Sequence, residues 1–301
     1  MVIEQQAAME QLRELYREKN EHLEKFLEPV TPFDFYREIF PVGSFERKGH
    51  FEDAKGNGIA VTVPKAAGIA LEIQEEGKAK RYTITDELSE LSEVFDTEFT
   101  IMSPLSYFGR RRCGKNARYL YALVFDLDGV GMPQLRDTLH QMNKDILPKA
   151  TFIVNSGTGL HLYYVLEEPI PMYPHNQKCL KELKYSLTRQ IWNRYTSTIK
   201  EPQVQGILQG FRVVGSGSKL GRENCWSLSR IAMESSSSSW ALCGRADSLW
   251  RKQRRSIQIG MSGGSSRRSG GAAGWSSGIF MTGGCTGSGM RSELAIGSTV
   301  L

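Results

Sequence analysis

Cysteine is scarce and unpaired in this chain. Its five residues, Cys113, Cys179, Cys225, Cys243 and Cys285, form no Cys-x-x-Cys pair. That spacing excludes a disulfide framework and a thiolate zinc site, and a reducing cytoplasm is the default. Long apolar runs are missing too. No stretch of roughly 18 apolar residues occurs, so neither a transmembrane helix nor a membrane partner is expected. Residues 1–25 are polar and charged, unlike a secretory leader. An excess of one charge is missing from most of the chain. The net charge is +5, but residues 222–301 hold ten Lys+Arg against four Asp+Glu, which leaves the first 221 residues at −1. Overall basicity therefore says nothing about nucleic acid; only local patches can. Internal repeats are absent.

The composition changes near Arg222. Residues 222–301 carry four of the five Trp and three of the five Cys, while Tyr does not recur after Tyr195. Arg outnumbers Lys nine to one there, and Gly and Ser make up 31 of 80 residues. No hydrophobic period of 2 or 3.6 persists. Two readings stand. One is a flexible Gly/Ser/Arg-rich tail that touches nucleic acid. The other is a segment read out of frame after Gly221, since disordered tails are usually poor in Trp and Cys. On either reading the segment is expected to have no fold and no catalytic role.

The first 221 residues do show periodicity. Met9, Leu12, Leu15, Tyr16, Leu23 and Phe26 predict an amphipathic helix over Gln5–Leu27, ended by Pro29 and Pro32. Phe33–Phe40 is a short aromatic segment. Strands are predicted at Ile59–Val63, Ala70–Ile73, Arg81–Ile84, Phe99–Met102, Tyr121–Leu127, Thr151–Val154 and Leu162–Leu166, with another ending near Val214. Helices are predicted within Thr85–Phe95, at Met132–Met142 behind Pro133, and over Gln177–Tyr195. Lys178, Lys181, Lys184 and Arg189 read as a solvated basic side of that last helix. Strands interleaved with helices give an α+β or α/β core.

Chemistry concentrates in a few segments. Tyr121-Ala-Leu-Val-Phe-Asp126-Leu-Asp128-Gly129 is a buried strand ending in two carboxylates. Residues i and i+2 share a strand face, so Asp126 and Asp128 are placed to hold a hard divalent cation. About 30 residues on, Ser156-Gly157-Thr158-Gly159-Leu160-His161 is a glycine turn leading into a strand. Its glycines admit a close backbone approach, and its N–H groups can cradle an anion beside His161. Arg110, Arg111, Arg112, Lys115 and Arg118 form a basic loop just before the acidic strand, able to follow a phosphate backbone. Arg212 and Lys219 flank a second Gly/Ser turn, a further place for phosphate.

In this order the segments resemble the archaeo-eukaryotic-type primases, the primase-polymerases of plasmids, phages and integrated mobile elements. Asp126 and Asp128 match that family's acidic motif, and His161 matches its histidine. Phe211-Arg212-Val-Val-Gly-Ser is similar to the segment that follows in mobile-element members. The resemblance spans about residues 99–221. It implies an α+β fold in which an RNA-recognition-motif-like sheet carries the acids beside a smaller α/β unit that supplies the histidine. With the helix that periodicity predicts, the chain divides into an N-terminal amphipathic helix over 1–30, a primase-polymerase-like catalytic domain over 31–221 and the tail over 222–301. The resemblance implies catalytic roles for Asp126, Asp128 and His161. Two Mg²⁺ or Mn²⁺ ions would be held by Asp126, Asp128 and a third acid, for which Glu201 is the candidate. Ser156, Gly157, Gly159, His161, Arg212 and Lys219 would contact an NTP or dNTP, and the basic loop a single-stranded DNA template. A replicative helicase is a further implied partner. The chain departs from the pattern where Gly159 replaces a serine, and it lacks the asparagine of the last segment.

Two other readings share these residues. Leu-Val-Phe-Asp-Leu-Asp-Gly is similar to the nucleophile motif of haloacid-dehalogenase-type phosphatases, with Asp126 as nucleophile and Asp128 as acid/base. That family needs a later acidic pair, and after Asp145 only Asp247 remains as aspartate. The third reading is a replication initiator that binds DNA without polymerising.

Overall fold

A computed structural model describes residues 2–45, 66–74, 77–109, 111–217, 220 and 227–230. The predicted strand at Ile59–Val63 lies outside them. So do Arg110, Lys219 and residues 231–301.

The chain opens with helix α1 (Val2–Glu24), an edge strand β1 (Glu28–Pro29) and helix α2 (Pro32–Ile39). The aromatic segment is thus a helix. Thr31 caps it by accepting the Asp34 N–H at 3.2 Å, and Pro32 stands at its first position, where a missing N–H leaves no bond unmade. Strands β2 (Ala66–Ile73) and β3 (Ala79–Ile84), helix α3 (Leu91–Phe95) and strands β4 (Thr100–Met102) and β5 (Leu105–Phe108) follow. Next come β6 (Ala117–Leu127), α4 (Met132–Asn143), β7 (Phe152–Asn155), β8 (Leu160–Pro171), α5 (Pro174–Ile191), β9 (Phe211–Arg212) and β10 (Ser227–Arg230).

All described strand pairings are antiparallel, in the order β1-β10-β7-β8-β6-β5-β2-β4-β9, with β3 also on β2. The α+β expectation therefore meets a mixed fold around an antiparallel sheet. The acidic strand and the histidine strand are neighbours in that one sheet, so no separate unit is needed to supply His161. β10 corrects a second expectation. It falls inside the stretch assigned no fold, yet Ser227–Arg230 pairs with Asn155–Phe152.

Both sheet faces are covered. One core gathers Leu123, Phe125 and Leu127 of β6 with Leu23, Leu135, Leu183 and Leu187 from the helices. The other gathers Val124, Tyr163 and Phe211 with Phe35 and Tyr36 of α2. A strand covered on both faces reads as a continuous apolar run, which is what β6 shows. The faces still alternate beyond it: Leu127 is buried, while Asp126 and Asp128 are partly exposed on the opposite side.

Candidate active site

Asp126 stands opposite His161 in the β6–β8 ladder. Its own N–H and C=O turn away from β8. The N–H donates to Gln205 Oε1 at 3.0 Å, and the C=O accepts from Gln205 Nε2 at 2.6 Å. Asp126 and His161 are thus a non-hydrogen-bonded pair, the kind whose side chains lie closest. His161 Nε2 sits 3.3 Å from Asp126 Oδ1, with the histidine side chain 6% and the aspartate 26% exposed. Asp128 follows two residues on, and its Oδ2 accepts from Gln203 Nε2 at 2.9 Å.

Gln205 explains how the strand end is held. β5 stops pairing with β6 at Leu120, so the far edge of β6 would be bare at Asp126. One side-chain amide supplies the donor and the acceptor that a missing strand would have given. The rest of the strap runs alongside. Ser197 Oγ donates to the Asp128 C=O at 2.6 Å, and Thr198 N–H donates to the Gly129 C=O at 3.0 Å. Gly129 has φ +68°, and a Cβ there would meet Thr198 Oγ1 at 2.5 Å. The turn after Asp128 therefore requires glycine.

The glycine turn is built differently from the expectation. Gly157 and Gly159 are buried, whereas Ser156 is half-buried and Thr158 exposed. A Cβ on Gly159 would stand 2.3 Å from the Leu127 carbonyl oxygen. Its close approach is to the acidic strand, not to a ligand. The Gly157 N–H donates to Asn155 Oδ1 at 3.2 Å, so that donor serves the turn itself. Within this segment Ser156 and Thr158 are what a ligand can reach.

Other assignments divide. Phe211, not Arg212, packs on the histidine: its ring is 5.7 Å from the His161 ring. Neighbours on a strand point to opposite faces. Arg212 instead donates to the Gly217 and Glu98 carbonyls at 2.9 and 3.3 Å and lies 4.4 Å over the Phe99 ring. In the basic loop, Arg112 donates to the Leu208 carbonyl at 3.0 Å, and Arg118 lies 4.5 Å over the Phe108 ring. Arg111 and Lys115 are exposed. Arg112 and Arg118 thus hold the loop, and of its described cations Arg111 and Lys115 face solvent. Glu201 is exposed. Among the described residues no three His, Cys, Asp or Glu side chains converge as a metal site, so Glu201 does not join the pair.

One residue near the acids was misread. Lys184 was expected on a solvated face, yet it is 2% exposed. Its Nζ donates to the Gly206 carbonyl at 3.1 Å and lies 5.3 and 5.7 Å from the Phe211 and Phe125 rings. Burial pulls its pKa down to about 8, and Asp126 opposes the shift. The signal was in the sequence: position 184 falls within the stripe Leu180, Leu183, Leu187 and Ile191 that buries α5.

The donor set suits a hard cation. Two carboxylates on one accessible face match magnesium, which is commonly bound by one or two carboxylates plus substrate phosphates and water.

No family model and no curated protein matches the chain. Solved structures do. They include the AEP domain of the cyanophage S-2L primase-polymerase, at 14% identity and TM-score 0.38, covering 56% of this chain and 82% of that one. The catalytic domain of primase RepB′ in complex with initiator DNA matches at 11% identity and TM-score 0.37, covering 63% and 89%. A second structure of primase RepB′ matches at 8% identity and TM-score 0.34, covering 65% and 62%. At these scores the likeness is distant, and the functional reading rests on the site itself. Among the described residues no helix is long and apolar enough to cross a membrane.

Proposed function

We propose that this chain transfers nucleotides to a growing 3′-hydroxyl on single-stranded DNA, making primers for the replication of a mobile element. The observation that carries the reading is the pairing of Asp126 with His161 across adjacent strands, with Asp128 on the same accessible face. An acid pair and a histidine that are separate in sequence form one site.

Asp126 and Asp128 would hold the Mg²⁺ or Mn²⁺. The chemistry such an ion supplies when bound is neutralisation of triphosphate charge and activation of the 3′-hydroxyl. The chain's own residues do the positioning. Gln205 fixes the backbone of Asp126, Gln203 orients the Asp128 carboxylate, and Ser197 ties down the turn behind it. His161 steadies the Asp126 carboxylate and reaches an incoming NTP or dNTP by exchanging that contact for a phosphate. Ser156 and Thr158, the accessible residues of the turn before His161, would offer hydroxyls to the same nucleotide. Arg111 and Lys115 would meet the template backbone. A replicative helicase would act on the same DNA.

The decisive experiment offers the chain labelled nucleotides, primer-free single-stranded DNA and Mg²⁺ or Mn²⁺, and in parallel a generic phosphomonoester. Incorporation that disappears in Asp126→Ala supports the reading. Phosphomonoester turnover without incorporation would replace it with the phosphatase. DNA binding that neither needs metal nor leads to incorporation would replace it with the initiator.

A further inference from the structure

We infer that Lys19 of α1 is a positioning residue for the nucleotide side of the site. The inference rests on the reading that the turn before His161 faces the nucleotide. Lys19 is 0% exposed, and its ammonium is surrounded by main-chain carbonyls. It donates to the carbonyls of Val130 at 3.1 Å, Gly157, and Gly159 at 3.5 Å. Val130 lies two residues beyond Asp128, and the two glycines lie just before His161. A single cation from the N-terminal helix therefore ties the turn after the acids to the turn before the histidine.

The rest of α1 supports this placement. Asn155, at the end of β7, donates to the Tyr16 carbonyl at 3.1 Å and to Asn20 Oδ1 at 2.5 Å, while its own Oδ1 receives the Gly157 N–H. Tyr16 and Leu23, on the same side of the helix as Lys19, are buried. The Val130 N–H also bonds the Thr158 carbonyl at 3.1 Å. The two turns are thus already joined by one backbone bond, and Lys19 closes the junction from below. A buried ammonium is expensive to desolvate, and burial indeed pulls its pKa down to about 8. A lysine used only to fill space would be poorly chosen there. Three converging carbonyls give the charge a purpose: they hold a turn whose glycines have no side chains to anchor it.

The test compares the full chain with Lys19→Met, which matches the lysine stem as far as Cε and removes the ammonium with its donors. Thermal melting, amide hydrogen exchange across the chain, and steady-state nucleotide incorporation are measured on both. The expected result is a cooperative melt, with exchange at residues 156–160 and 130 faster by about tenfold and exchange in β5 and α5 unchanged. KM for nucleotide should rise by about tenfold, with kcat within about twofold. Unchanged exchange and KM in a folded variant would overturn the inference. Faster exchange throughout the core would also overturn it, by assigning Lys19 to general stability. If Lys19→Met does not fold, Lys19→Gln, which keeps an N–H donor without the charge, takes the same measurements. If the unaltered chain incorporates no nucleotide, the functional reading fails, and the exchange pattern alone decides the role of Lys19.

Discussion

The Leu127 carbonyl oxygen stands where a side chain on Gly159 would begin. With 2.3 Å between that oxygen and a Cβ, Gly159→Ala must push the turn away from β6. Overpacking of this kind costs roughly 1–3 kcal/mol, and here the displaced turn leads into His161 and lies against the strand that carries Asp126. The expected outcome is a lower melting temperature together with weaker nucleotide incorporation. Unchanged values for both would show that the turn can move freely. His161→Ala tests a different residue-scale property. It removes one contact to Asp126 and leaves a cavity under the Phe211 and Tyr163 rings. If the histidine trades the aspartate for a phosphate, the lost charge-assisted bond is worth about 1.5–3 kcal/mol. That corresponds to one to two decades in kcat/KM for nucleotide, roughly, with single-stranded DNA binding retained. Fluorescence anisotropy with a labelled oligonucleotide checks the second half. A variant that loses incorporation and DNA affinity equally would make His161 a structural residue.

Elements show how far the sequence could be read. The β6 run, the glycine turn and the α5 stripe were legible because burial on both faces, a turn and a helix each leave their own period. The pairing of Asp126 with His161 was not legible as a contact, since register belongs to the ladder and not to either strand. Gln205 was missed for the same reason: its task arises only because β5 ends before β6 does. Lys19 was overlooked because a single lysine on an amphipathic helix reads as surface. β10 was hidden by its setting, four residues in a stretch without period. It gives an element-scale prediction. Ser227–Arg230 covers the edge of β7, and Arg230 pairs with Glu38 of α2. A chain ending after residue 221 should unfold at lower urea than one ending after residue 230, by roughly 2 kcal/mol for a few ladder bonds. Equal midpoints would mean that β10 contributes nothing to the core.

At the scale of the whole molecule, two buried lysines give stability a predictable pH dependence. Lys19 and Lys184 both have folded pKa values near 8, against a usual value of 10.5. Desolvation lowers both, and at Lys184 it outweighs the opposing charge of Asp126. Between about pH 8 and 10.5 the unfolded chain holds protons on these side chains that the folded chain has released. Stability therefore rises with pH across that window, and the burden of burying the charges is fully present below it. For one such lysine, going from about pH 7.5 to about pH 9.5 should add roughly 2 kcal/mol. Other groups titrate over the same range, so the absolute curve mixes several contributions. The difference between the unaltered chain and Lys19→Met isolates one of them. Methionine cannot carry the charge, and the variant's stability should rise less over the interval, by about that amount. Urea unfolding at the two pH values measures it. Parallel curves for the two proteins would mean that Lys19 keeps its proton in the fold, with the carbonyls of Val130, Gly157 and Gly159 offsetting the desolvation.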